Sequence, residues 1–508
     1  MVRRMNAIPP DRTIGIVGAG AMGTGIAQVA AAAGHRVRLH DMREGAVDEA
    51  VARLAGTLDG LVAKNRLGAD KAEAILGRIE PAESLADFDV CALVVEAIAE
   101  DLEAKRRLFA DLEAAVGDDC ILASNTSSLS ISAIARGLRH PGRVAGFHFF
   151  NPAPVMALVE IVSALSTDPH VAQTLFDTAH AWGKAPVHAA STPGFVVNRC
   201  ARPFYAEALR LLTERATDPA TLDAVMREAG GFRMGPCELM DMIGHDVNFA
   251  VTRSVHDAYF GDPRYLPSVL QAEMVAAGRL GRKSGRGFFD YGHGAAKPEP
   301  STEPVGTLPR EIVVEGDLDF VAPLAARAEA AGLPVRRRAA GPLGPGLQLD
   351  GTALRVTDGR TATVRARGTG EHALVLHDLA LDYAAATRIA LAPADQAAGE
   401  AASLATGFFQ ACGFAVSLVD DAPGLVVMRT LAMLVNEALE AVQQGVVTAE
   451  GVDVAMTKGV NWPKGPFAWG REIGLPAVKT VLDNLHRHYG EDRYRASPRL
   501  TRLVARET

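Results

Sequence analysis

The sequence predicts an α/β chain: a doubly wound, mostly parallel sheet, an all-α domain, then a reduced version of the sheet and a second all-α copy. Three observations predict it. Short apolar strands alternate with amphipathic helices through the first 190 residues. From Pro193 the texture changes to long amphipathic helices with few strand signals, as far as about Tyr291. A shift of 230 residues then lays the last part of the chain on that helical section.

The first element is the stretch Thr13 to Asp41. Ile14 to Val17 is an apolar run with β-branched residues, the pattern of a buried parallel strand. Gly18-Ala19-Gly20-Ala21-Met22-Gly23 follows at once in the order G-x-G-x-x-G. A helix over Ala21 to Ala33 then turns Met22, Ile26, Val29, Ala30 and Ala33 to one face. Gly34 ends it, Val37 to Leu39 make a second strand, and Asp41 lies just beyond. A tight glycine turn lets a backbone approach a pyrophosphate, and the helix N-terminus offers it N–H groups and partial positive charge. Asp41 stands eighteen residues past the last glycine, where a carboxylate takes ribose hydroxyls and repels a 2′-phosphate. The unit therefore reads as Rossmann-like with NAD favoured over NADP, although Arg43 stands nearby.

A polar, Ala-rich helical stretch runs to about Leu67, carrying Arg53, Thr57 and Lys64, and a shorter one lies near Lys71 to Leu76. Val90 to Val95 is the next strand, ending at Glu96, before a helix from Glu100 to Leu112. Cys120 to Ala123 is a strand ending in Ser124-Asn125-Thr126-Ser127-Ser128. Arg143 to Phe150 and Leu158 to Val162 complete the series. Ligands of such sheets lie at the carboxyl ends of the strands, where Asp41, Glu96, Ser127 and His148 fall.

The expected domains are 1–190 (nucleotide-binding sheet), 191–291 (helical), 292–310 (a Pro/Gly/Glu-rich exposed linker), 311–412 (a reduced Rossmann-like adapter) and 413–508 (second helical copy). The adapter has EIVVEG, an Ala-rich helix, LPVRRR and ALVLHDL, but no glycine loop, so no cofactor is assigned to it. The repeat lays PGFVVNR (Pro193 to Arg199) on PGLVVMR (Pro423 to Arg429) and Gly235-Pro236 on Gly465-Pro466, without a gap. Asn198 in the first copy is Met428 in the second.

Bulk properties narrow the function. The chain has 508 residues, 48% of them hydrophobic, and a net charge of −8. That balance disfavours nucleic acid or an anionic membrane as the main partner. Five scattered cysteines without C-x-x-C point to reduced thiols in the cytoplasm. The opening MVRRMNAIPPDR has no apolar core of a signal peptide, no run is long enough to span a bilayer, and no metal-ligand spacing is visible.

Among polar residues, His148 is the candidate general base, since an imidazole titrates near neutrality. Phe147, Phe149 and Phe150 surround it. Glu160, twelve residues on, interrupts the apolar run LVEIV; a carboxylate there needs a partner, and pairing with His148 would fix the ring's tautomer. Ser127 and Asn198 could hold a hydroxyl or carbonyl oxygen. A satisfied core histidine, a Glu160 paired with arginine and a helix-capping SNTSS are the competing structural readings.

With these segments in hand (GAGAMGTGIAQVAAAAGH, VVEAIAEDLEAK, ASNTSSLSI, GFHFFNPAPVM, LVEIV, TPGFVVNR, MGPCELMDMIG, GRKSGRGFFDY), the chain resembles the L-3-hydroxyacyl-CoA dehydrogenases over about Thr13 to Tyr291. The resemblance implies NAD-dependent oxidation of an (S)-3-hydroxyacyl-CoA. It makes His148 the base and Glu160 its orienting partner, with Ser127 and Asn198 at the substrate oxygen. Asp41 is then at the adenosine ribose, with Glu100, Lys105, Ser127, Asn151 and Lys283 at NAD. Thr57, Lys64 and Ser127 come near coenzyme A. The layout with an adapter and second helical copy is similar to the long bacterial form linked to phenylacetate catabolism, acting on 3-hydroxyadipyl-CoA or 3-hydroxybutyryl-CoA. The two helical copies would then pack as a pseudo-dimer within one chain, with homo-oligomers left open. Rival functions are a catalytically silent NAD-binding relative and a dehydrogenase of free hydroxy acids.

Overall fold

The computed structural model describes residues 6–318 and 321–507; residues 1–5 of the opening stretch lie outside them. The chain divides into two compact units, residues 1–199 with 444–461, and residues 200–443 with 462–508.

The first unit is built on an eight-stranded sheet. Its strands are β1 (Thr13–Val17), β2 (Val37–His40), β3 (Ile79–Pro81), β4 (Cys91–Glu96), β5 (Ile121–Ser124), β6 (Val144–Phe149), β7 (Leu158–Ser163) and β8 (Ala185–Ala190). The spatial order is β3-β2-β1-β4-β5-β6-β7-β8, and every pairing is parallel except β6 with β7. β4 to β7 are buried along nearly their whole length, which explains their continuous apolar runs. Helix Ala21–Ala32 packs on β1 and β2 and contributes Ile26, Ala27, Val29 and Ala30 to the core.

This unit also contains a piece of the second repeat. Helix Ala449–Gly459 lies on β7 and β8. The approach is close enough that a Cβ on Gly459 would sit 2.5 Å from Leu158 and 3.2 Å from Val197. Its approach is fixed upstream by Ala190 N donating to Val446 O (2.8 Å) and Arg199 Nη1 donating to Gln444 Oε1 (2.9 Å). Residues 444–461 of the second helical copy thus belong to the first compact unit.

The second unit holds a seven-stranded sheet of β9 (Ile312–Glu315), β10 (Val335–Arg338), β11 (Gly346–Leu349), β12 (Thr352–Val356), β13 (Leu374–His377), β14 (Arg388–Pro393) and β15 (Ala415–Leu418), in the order β10-β9-β11-β12-β13-β14-β15. β15 pairs with β14 up to Leu418, so the adapter extends past the expected boundary at 412. The sheet repeats part of the first one. Ala145↔Ser163, Gly146↔Val162 and Phe147↔Ile161 across β6 and β7 become Val375↔Pro393, Leu376↔Ala392 and His377↔Leu391 across β13 and β14, each shifted by 230. The expected linker is strapped to this sheet: Glu303 N donates to Val416 O and Thr307 N to Ser403 O.

The helical repeats meet inside the second unit, where helix Arg202–Thr213 packs on helix Val427–Gln443. Each supplies a buried glutamate to the other repeat. Tyr494 donates to Glu207 (3.1 Å) and Tyr265 donates to Glu437 (2.7 Å). Helix Pro219–Glu228 of the first repeat packs on β14, as Ala449–Gly459 packs on β7.

Candidate active site

Two glycines show why the loop after β1 has its composition. Gly18 has φ +106°, and a Cβ there would meet Ala97 O at 2.6 Å; on Gly23 it would meet Gly18 O at 1.8 Å. A Cβ on Gly20 would meet nothing within 4 Å, so the backbone is open on that side. The helix that follows has no side-chain cap at Gly20, leaving its first N–H groups available. A cleft of about 630 Å³ lies there, lined by Gly18, Gly20, His40, Asp41, Ala97 and Ile98 among others. Asp41 Oδ2 accepts from Ala19 N (2.8 Å) and Oδ1 from Arg43 N (2.9 Å), so the carboxylate also braces the loop. Arg43 is engaged by Glu49, with nitrogen–oxygen distances of 3.1 and 2.7 Å. The residues present fit a dinucleotide.

At the same carboxyl edge, β6 and β7 run antiparallel with His148 directly opposite Glu160. Both are buried, at 5% and 1% exposure. His148 Nδ1 donates to Glu160 Oε2 at 2.6 Å, which leaves Nε2 as the lone-pair nitrogen. Phe150 and Phe195 pack on the ring, with centroids 4.5 and 5.8 Å away. Glu160 Oε1 accepts from Val196 N (3.1 Å) and Val197 N (2.9 Å), at the start of the short helix Val197–Cys200 that carries Asn198.

Ser127 lies in the exposed turn after β5, its N–H donating to Glu100 Oε1 at 3.1 Å. The same oxygen accepts from Thr126 Oγ1 (2.6 Å), Ser128 N (3.1 Å) and Ser128 Oγ (2.9 Å). Burial pushes the Glu100 carboxyl up, but the Thr126 hydroxyl, the Lys105 charge and the other bonds outweigh it and hold the group below its ordinary range. Lys105 is 1% exposed, its ammonium 2.5 Å from Glu96 and 3.4 Å from Glu100. The structure thus makes Lys105 part of the framework under the turn.

Asn151 is exposed in the turn that follows β6. Thr57 and Lys64 are exposed on and just past helix Ala46–Ala63, and the Thr57 hydroxyl donates to Arg53 O. Lys283 belongs to the second unit, where it donates to Asp246 Oδ2 at 2.7 Å.

Two further residues were given no role by the sequence reading. Asn125 Oδ1 accepts from Phe149 N (2.8 Å), tying the serine turn to the strand of His148. Buried Lys184 donates to Ala153 O (2.6 Å) and Met156 O (2.9 Å), closing the turn that carries Asn151. Asn125 lay in plain view in SNTSS, but nothing local in sequence reveals the partners of Lys184.

In the second unit the equivalent of His148 is Asp378 and that of Glu160 is Ala390. Asp378 Oδ2 accepts from Val426 N (3.0 Å) and Val427 N (2.7 Å), as Glu160 does from Val196 and Val197. Burial pushes its carboxyl up to about 6. The second sheet therefore keeps the helix-anchoring contact and loses the histidine.

A glycine-loop nucleotide cleft and a histidine–carboxylate pair on one doubly wound sheet define a pyridine-nucleotide dehydrogenase. Residues 13–192 match the 3-hydroxyacyl-CoA dehydrogenase NAD-binding domain, and residues 194–291 and 424–508 match the C-terminal domain of the same family. The chain belongs to the 3-hydroxyacyl-CoA dehydrogenase family. Residues 354–423 match the 3-hydroxybutyryl-CoA dehydrogenase reduced Rossmann-fold domain. The chain is 40% identical over 95% of its length to the 3-hydroxyadipyl-CoA dehydrogenase of Escherichia coli, 95% of which is covered. It is 42% identical to a probable 3-hydroxybutyryl-CoA dehydrogenase of Deinococcus radiodurans, matching 54% of this chain and 99% of that one. A crystal structure of 3-hydroxybutyryl-CoA dehydrogenase from E. coli superposes with a TM-score of 0.89 at 39% identity, covering 98% of this chain and 99% of that one.

Proposed function

We propose that this NAD-dependent 3-hydroxyacyl-CoA dehydrogenase acts on a short or dicarboxylic (S)-3-hydroxyacyl-CoA, 3-hydroxybutyryl-CoA or 3-hydroxyadipyl-CoA, with His148 as its base. The observation that carries the assignment of the base is the 2.6 Å bond from His148 Nδ1 to Glu160. His148 Nε2 takes the proton of the 3-hydroxyl as the C3–O bond becomes a carbonyl. Glu160 keeps the Nδ1 proton in place and stabilises the imidazolium. Ser127 Oγ and the Asn198 amide orient the substrate oxygen. Bound NAD supplies the acceptor for the C3 hydride; the glycine loop and Asp41 would hold its pyrophosphate and ribose, with Asn151 as a further contact. Thr57 and Lys64, seven residues apart and so two turns along one helix face, support a coenzyme A contact.

Among the described residues no helix is long and apolar enough to cross a membrane. All five cysteines are buried and none forms a disulfide among the described residues, which supports the cytoplasm as the location. The substrate is tested by comparing kcat/KM for 3-hydroxybutyryl-CoA, 3-hydroxyhexanoyl-CoA, 3-hydroxyadipyl-CoA and the corresponding free 3-hydroxy acids. A C4 or adipyl preference supports the proposal, and a preference for hexanoyl or for the free acids overturns it.

A further inference from the structure

Glu96 closes β4 at the carboxyl edge of the first sheet and is 0% exposed. Its carboxylate gathers donors from three elements. Oε1 accepts from Lys105 Nζ (2.5 Å), on helix Leu102–Ala115, and from Ile98 N (2.7 Å), in the loop that lines the nucleotide cleft. Oε2 accepts from Ser124 Oγ (2.6 Å), at the end of β5. A buried carboxylate is tolerated only when paired and hydrogen-bonded in this way, and such pairs are weak evidence for stability as such. They do fix the geometry of the elements they join.

Two routes lead from Glu96 to the reacting groups. Along the first, Lys105 Nζ also lies 3.4 Å from Glu100 Oε2, and Glu100 Oε1 takes the N–H of Ser127 at 3.1 Å. Along the second, Ser124 Oγ accepts from Thr126 N (3.2 Å), and Asn125 N donates to the Glu96 carbonyl (2.8 Å). The Asn125 side chain then takes the N–H of Phe149, the residue after His148. Charge-assisted bonds make up the first route, and they are the stronger kind.

We propose that Glu96, shut off from substrate and nucleotide alike, is a positioning residue that sets the Ser127 turn against His148. The proposal rests on Ser127 holding the substrate oxygen. A misplacement near 1 Å in such a pair costs about a hundredfold in rate, so the effect belongs in kcat.

The test is a double-mutant cycle of Glu96→Gln and Ser127→Ala in the full chain, with kcat and KM for acetoacetyl-CoA reduction and Kd for NADH measured for each. Glu96→Gln should lower kcat about ten- to a hundredfold with NADH Kd changed less than about threefold. Ser127→Ala should cost less in the Glu96→Gln background than in the wild type. Additive losses, a Glu96→Gln kcat within twofold of wild type, or a loss matched by weaker NADH binding overturns the positioning role. An inert Ser127→Ala instead overturns the reading of Ser127 on which it stands, whatever Glu96→Gln does. If Glu96→Gln does not fold, Glu96→Gln with Lys105→Met removes both buried charges, and the same cycle with Ser127→Ala decides the matter by the same criteria.

Discussion

Glu160 holds His148 with one oxygen and the helix of Asn198 with the other: Oε2 takes the Nδ1 proton at 2.6 Å while Oε1 takes the N–H groups of Val196 and Val197. On the proposed assignment, one carboxylate therefore sets both the tautomer of the base and the position of the amide that orients the substrate oxygen. In Glu160→Gln the side chain has one acceptor oxygen and must turn an NH2 toward one of the two sides. Turnover should fall by about a hundredfold or more, within the range of a positioned acid–base group, with NADH Kd little changed. A loss below tenfold would mean that neither side depends on Glu160.

Asp41 should set the choice of nucleotide. It lines the cleft, and Arg43, whose N–H it accepts, is engaged by Glu49. Asp41→Asn removes the like charge facing a 2′-phosphate and should reduce the NAD-over-NADP ratio of kcat/KM by about tenfold, the equivalent of 1.4 kcal/mol. An unchanged ratio would place the discrimination elsewhere.

Much of the first unit was legible because its signals are local. The glycine loop, strands β1, β2 and β4 to β7 and the His148–Glu160 pair follow from apolar runs and one misplaced carboxylate, whereas the three-residue β3 carries no such run. β11 and β12 were missed although Asp350-Gly351, both with positive φ, is a hairpin signal between them. β15 is only four residues long, which is why the boundary was set too early. The duplication was visible in the helices but hidden in the sheets: where His148 became Asp378 and Glu160 became Ala390, backbone register persists without matching side chains. Glu96 was seen at a strand end, but its partners Lys105 and Ser124 come from separate elements that only the fold brings together.

The second repeat should carry no turnover of its own. Asp378 stands in place of His148, Ala390 in place of Glu160 and Met428 in place of Asn198. Calorimetric titration of the full chain with NADH and with acetoacetyl-CoA should give one equivalent of each. Two equivalents of either would contradict a single site.

The buried cluster on Glu207 should make the second unit sensitive to acid. Burial pushes its carboxyl up, but Arg493 and Arg429 outweigh that and hold it below the ordinary 4.5. Arg429 Nε lies 2.6 Å and Arg493 Nη2 2.8 Å from it. With the folded value lowered, its stabilisation is present above about pH 4.5 and is lost as pH falls through the lowered value. Glu207→Gln, which leaves two buried cations without their anion, should cost about 3–5 kcal/mol at pH 7. The gap to wild type in denaturant unfolding should narrow below pH 4.5. A gap independent of pH would assign the loss to packing alone.

The central claim is that His148 is the base of an NAD-dependent 3-hydroxyacyl-CoA dehydrogenase, and its most direct test follows NADH absorbance with acetoacetyl-CoA for wild type and His148→Gln. The wild type should consume NADH rapidly. His148→Gln should lose about a hundred- to ten-thousandfold in rate, with NADH still bound as tightly. A variant within tenfold of wild type, or one that has lost NADH binding together with turnover, would contradict it.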